Sequence, residues 1–200
     1  MAYSDFTIET IKEQFGIHLE EDGTFFAKVP SVTVSSLLLE TLAENVPLAQ
    51  AISTEKARSE LIIMPVLMEA RRQAGRKVSL FSGIDFTVDP ARGLKGNCDF
   101  LMSLSAEQLT VESPVIAIAE AKNENFANGF AQCIAEMIAA KLFNEKRNNK
   151  VATIYGAVTT GSLWKFLRLM GNEVVIDVEE YHINQPGRIV GNLVSMLKDQ

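Results

Sequence analysis

The spacing of apolar positions along the chain changes several times, and each change marks an element. Residues from about Thr7 to Phe15 carry a helical spacing that Gly16 stops. A polar turn, Glu20 to Gly23, and a short apolar run, Thr24 to Val29, follow. The break at Val29, Pro30 and Ser31 sets residues 1–30 apart as an accessory element packed on a main domain of residues 31–200. Ser31 to about Gln50 is predicted helical, with Val34, Leu37, Leu38, Leu39 and Leu42 as its apolar positions. Ser53 and Thr54 then cap a longer helix that runs to about Ala74 and ends at Gly75. Pro65 lies inside it and is expected to kink it. From Leu61 to Met68 the surface is apolar nearly all round, which predicts burial.

The pattern then turns to strands. Val78 to Ile84, Asn97 to Leu104 and Pro114 to Lys122 are three of them. The continuous apolar run Val115 to Ala119 is that of a central strand covered on both faces. A helix follows over about Asn125 to Lys146, then a buried strand from Val151 to Thr159. Ser162 to Leu169 and Val174 to Ile183 read as a hairpin across Gly171 and Asn172. Pro186 opens a last helix to about Leu197. Three strands, a crossing helix and a further strand imply an α/β fold with a mixed sheet and helices on both faces.

Composition narrows the class. Hydrophobic residues make up 47% and charged residues 22%, as in a globular chain with a full core, which excludes a disordered tail or a fibre. The two cysteines, Cys98 and Cys133, are too few for a disulfide framework or a structural zinc site. They are expected as buried thiols in a reducing cytoplasm. The N-terminus shows no signal peptide. The longest apolar run falls short of the roughly 20 residues a bilayer requires, so no membrane partner is expected. A pI near 5.1 argues against coating nucleic acid by bulk charge, but leaves room for a local basic groove beside an acidic metal site.

The candidate chemistry lies where the third strand ends. Glu120 and Lys122 are two apart and share a face in an extended strand. A carboxylate and an ammonium at the end of a buried strand are costly unless something uses them. Asp99 lies on the preceding strand, and a hairpin return through the segment between Leu101 and Val115 would set it beside Glu120. Two adjacent carboxylates repel unless a cation sits between them. Oxygen ligands without His or Cys select Mg2+ or Mn2+. Glu60 is a third acid, expected on an apolar helix face because Ile63, Met64 and Leu67 are its helical neighbours. Gln132 interrupts the apolar helix after Lys122, with Glu136 one turn on along the same side.

An acid on a first helix, Asp99 on a second strand and Glu120-Ala121-Lys122 on a third, in that order, resemble the PD-(D/E)xK phosphodiesterase superfamily, the restriction-endonuclease-like nucleases. Gln132 is similar to a fourth motif of some branches. The resemblance covers about residues 54–160. It departs from the superfamily's name at Cys98, which stands where Pro is expected, and Asp85 and Asp89 offer rival carboxylates. It implies a core of αβββαβ order, with N-terminal helices and a C-terminal hairpin and helix as additions. It also implies metal-dependent hydrolysis of a nucleic-acid phosphodiester. Asp99 and Glu120, with Glu60, would hold the metal, and Lys122 and Gln132 would act on the attacking water or the phosphate. The implied substrate is nucleic acid, DNA in first place, with RNA left open.

Each feature has an ordinary reading beside this one. Glu120 and Lys122 also fit a solvated strand end, and Glu60 a helix residue paired with Lys56 or Arg58. Lys141, Lys146, Arg147 and Lys150 fit a helix terminus that complements its dipole. Arg92 and Lys95 are better placed to reach a nucleic-acid backbone, and Trp164 reads as a core residue or a base-stacking platform. Apolar surface beyond what one core can bury points to a homodimer. Two other readings stay open: a catalytically inactive nuclease-fold binding or assembly module, and a nuclease that depends on a partner protein for target recognition.

Overall fold

The computed structural model describes residues 1–75, 77–121 and 126–198, and for residues 118, 120 and 121 the backbone alone. Helix α1 (Ile8–Phe15) starts where the Thr7 hydroxyl accepts the Thr10 N–H, and Gly16 ends it. Helix α2 (Ser36–Ile52) starts at Ser35, later than the apolar spacing predicts. The next helical stretch is continuous but not uniform. It runs as α3 (Glu55–Arg58), a π turn (Ser59–Ile63) and α4 (Met64–Gln73). Helices α5 (Phe126–Lys146) and α6 (Pro186–Lys198) complete the set.

The strands are β1 (His18–Gly23), β2 (Ser79–Asp85), β3 (Asn97–Ser103), β4 (Val115–Ala121), β5 (Thr153–Thr159), β6 (Leu163–Met170), β7 (Glu173–Asp177) and β8 (Tyr181–His182). They form one mixed sheet in the order β1-β7-β6-β5-β4-β3-β2, with β8 pairing β6. β4 and β5 run parallel, joined through α5, and so do β1 and β7; the other pairs are antiparallel. Two apolar layers sandwich the sheet. Cys133, Met137 and Phe143 of α5 pack with Leu101, Ile154 and Val158 on one face. Leu38, Leu67 and Leu193 of α2, α4 and α6 pack with Phe100, Ala117 and Phe166 on the other. The predicted mixed α/β sheet with helices on both faces is therefore present.

Two local expectations are corrected. Glu20 to Gly23 is not a turn: it belongs to β1, which pairs parallel with β7, His18 opposite Glu173. An edge strand with one neighbour keeps its other side in water, so HLEEDG can be polar and still extended. Val174 to Ile183 is not a single strand. The chain leaves β6 at Asp177 and returns to it at Tyr181. The buried Asp177 carboxylate accepts the N–H groups of Phe26 and Glu179 and the Tyr181 hydroxyl, which draws the chain out of the ladder.

Candidate metal and phosphate site

The site is built from the π turn and the first residues of β3. Within the π turn the Met64 N–H bonds to the Ser59 carbonyl, five residues back, so each turn holds more than the α-helical number of residues. Pro65 explains why the widening is tolerated. In an α-helix residue 65 would donate to the Leu61 carbonyl, and proline has no N–H to give. The Asn45 amide of α2 donates to that carbonyl instead, at 2.9 Å. The wider turn changes the phase of the side chains, and Glu60 does not face the core as its neighbours in sequence suggested. Its side chain is 62% exposed and pairs with the Lys56 ammonium at 3.0 Å.

On β3 the alternation of faces breaks once. Cys98 packs in the α5 layer, Phe100 and Met102 in the opposite layer, and Leu101 in the α5 layer again. Cys98 and Phe100 should share a face, so the break falls at Asp99. The register of β2 and β3 sets Gly83 across from this point, with φ of +62°, a conformation glycine adopts without the Cβ penalty. Asp99 is left half-buried at the rim of the sheet.

There Asp99 and Glu60 line one cleft of about 330 Å³, together with Lys56, Ser59, Ser82 and Gly83. Phe100 and Glu55 complete the described lining. The β3–β4 register pairs Phe100 with Ala119. The ladder ends with that pair, so Asp99 on β3 and Glu120, the penultimate residue of β4, are the next residues beyond it. The Glu120 side chain and Lys122 lie outside the described residues. Among the described residues, no group of three or more His, Cys, Asp or Glu side chains is arranged to hold a metal ion. Glu60 and Asp99 do bring two carboxylates to one cleft, and such hard oxygen donors would suit Mg2+ or Mn2+ better than a soft metal.

Gln132 sits one turn before Glu136 on α5 and donates to its carboxylate at 3.2 Å. It is not among the described residues lining the cleft. Glu136 is fully buried, close enough to Tyr3 to act on its phenol electrostatically. Burial, then the neighbouring Cys98, Glu136 and Asp85, push the Tyr3 phenol far up, and its hydroxyl donates to the Phe86 carbonyl.

The rival carboxylates serve turns. Asp89 pairs with Arg92 at 2.7 Å and caps the short helix at Pro90–Arg92, and Asp85 accepts from the Thr87 hydroxyl. Neither is among the described lining of the cleft. Several cations considered above hold the scaffold. Lys141 donates to the Gly171 carbonyl, Lys146 to that of Val88, and Arg147 stacks over Phe143 at 3.6 Å. Trp164 is fully buried and its indole N–H donates to the Gly161 carbonyl, so it offers no stacking platform. Sequence reasoning did not assign Ser59 and Ser82 to the site, and neither residue carries a local signal. Lys56 did carry one, as the i,i+4 partner of Glu60.

No family model, curated protein or solved structure matches this chain. Among the described residues, no helix is long and apolar enough to cross a membrane.

Proposed function

We propose that this chain is a divalent-metal-dependent phosphodiesterase acting on nucleic acid, built on a restriction-endonuclease-like core. The observation that carries this reading is the cleft shared by Glu60 and Asp99 at the rim of the sheet. The element order supports it. A helix leads into the antiparallel strands β2, β3 and β4, and α5 crosses to β5, parallel to β4. Glu60, Asp99 and Glu120 would hold Mg2+ or Mn2+, which when bound polarises a phosphate oxygen and lowers the pKa of a coordinated water. Lys122 would stabilise negative charge developing on the phosphate. Gln132, which bonds Glu136 and is not among the described lining of the cleft, is given no step in this reading.

The test incubates the full chain with labelled single- and double-stranded DNA and RNA in Mn2+, Mg2+ or EDTA, beside Lys122→Ala and Asp99→Asn. Cleavage that needs the metal and is lost in both variants supports the reading and identifies the substrate. A folded protein that gains no thermal stability from Mn2+ and cleaves none of the four substrates overturns it. That outcome would favour a non-catalytic assembly module. Leu37, Leu39, Leu48 and Ile52, large apolar side chains left exposed on α2, are the observation on its side.

A further inference from the structure

We propose that Lys56 contacts the phosphate backbone of the substrate, and that Glu60 restrains it until a divalent cation takes the Glu60 carboxylate. The inference rests on the phosphodiesterase reading and adds a residue and an order of events to it. Lys56 and Glu60 meet at 3.0 Å with side chains 83% and 62% exposed. An ion pair so open to water is weak, so a cation binding the carboxylate breaks it easily. The same cleft carries the hydroxyl-bearing residues Ser59 and Ser82, a residue type that can donate to phosphate oxygens as an ammonium does.

Charge explains why the order matters. The described residues lining the cleft include the carboxylates of Glu55, Glu60 and Asp99 against the single ammonium of Lys56. While Glu60 holds Lys56, the ammonium is engaged with a carboxylate and not offered to a phosphate. A divalent cation changes both the charge and this pairing, by neutralising carboxylates and by releasing Lys56 toward the phosphate. Metal and nucleic acid therefore bind with positive coupling, and Lys56 carries part of it.

The experiment is a binding titration, read independently of cleavage. Fluorescence anisotropy of labelled single-stranded and duplex DNA is followed with the full chain in EDTA and in Ca2+, a hard cation that takes the same oxygen ligands. The variants are Lys56→Ala and Glu60→Gln. In the wild type Ca2+ should tighten binding by about tenfold or more, a coupling of the usual allosteric size. Lys56→Ala should lose part of that gain and lower the dependence of log affinity on log salt by about one. Glu60→Gln, which releases Lys56 without a cation, should bind more tightly than the wild type in EDTA. Wild-type affinity and salt dependence in Lys56→Ala overturn this proposal and leave the phosphodiesterase reading standing. A wild type that neither binds nor cleaves DNA or RNA in any condition overturns both.

Discussion

The Asn45 amide donates to the Leu61 carbonyl across 2.9 Å, and this bond ties α2 to the π turn that carries Glu60. Leu61 is the carbonyl that Pro65 leaves without an N–H, so one residue creates the need and another, far along the chain, meets it. Asn45→Ala should cost about 1–3 kcal/mol, because a part-buried carbonyl loses its donor. Pro65→Ala should restore an α-helical bond to Leu61, remove the π turn and leave stability nearly unchanged or higher. It should also move Glu60 away from Asp99. Thermal melts of both variants, with Mn2+ titrations of Pro65→Ala, check this. Undiminished metal stabilisation in Pro65→Ala would contradict the link between the π turn and the site.

Glu69 ties α4 to the start of α2 in a way that pH can reach. Its side chain is 3% exposed, and it accepts the Ser35 N–H at 3.0 Å, the Ser35 hydroxyl at 2.8 Å and the Gln73 amide at 2.9 Å, with Arg72 at 3.2 Å. Burial alone would raise its pKa. The hydrogen bonds from Gln73 and Ser35, with the Arg72 charge, outweigh burial and hold it below the ordinary 4.5. A carboxylate depressed in the folded state stabilises fully above its unfolded value, and that stability is lost as pH falls through the folded value. The wild type should therefore be more stable than Glu69→Gln near neutral pH, and the gap should close as pH falls below the ordinary 4.5. Urea unfolding across that range measures it.

Asn144 on α5 makes a two-way bond to β4. Its side-chain oxygen accepts the Val115 N–H at 2.8 Å and its amide donates to the Val115 carbonyl at 2.7 Å. The ladder between β4 and β5 begins only at Ala117, so at Val115 the side chain stands in for a strand partner. Asn144→Ala leaves two buried backbone groups without partners, at about 1–3 kcal/mol each. A loss under about 1 kcal/mol in chemical denaturation would show that the backbone finds other partners.

Gly156 on β5 sets how closely α5 approaches the sheet. A Cβ there would stand 2.5 Å from the Met137 sulfur and 2.8 Å from the Cys133 sulfur, both fully buried. Gly156→Ala should destabilise by about 1–3 kcal/mol through overpacking. Adding Cys133→Ala should recover part of the loss, and a double-mutant cycle gives the coupling.

Much of the fold is legible in the residues because its signals are local. The Thr7 cap and Gly16 stop bound α1, the unbroken apolar run of β4 marks a central strand, and Pro186 opens α6. Each signal spans a few residues and needs no partner to be read. The order of elements, and with it the placing of Asp99 on one strand and Glu120 on the next, follows from those signals.

Three features needed the folded chain. β1 is a strand only because β7, from the far end of the sequence, offers it an edge, and nothing within HLEEDG shows that edge. Glu60 faces the cleft from a π turn that Asn45 bonds at the Leu61 carbonyl, whereas the helical spacing around Glu60 taken alone turns it toward the core. Asp99 reaches the rim because β3 changes faces opposite Gly83, where strict alternation would send every second residue the same way. The sequence by itself determined the periods, caps and breaks, because those arise from contacts within a turn or two. The tertiary structure decided edges, phase and register, because those depend on which distant groups remain to satisfy a backbone left unpaired.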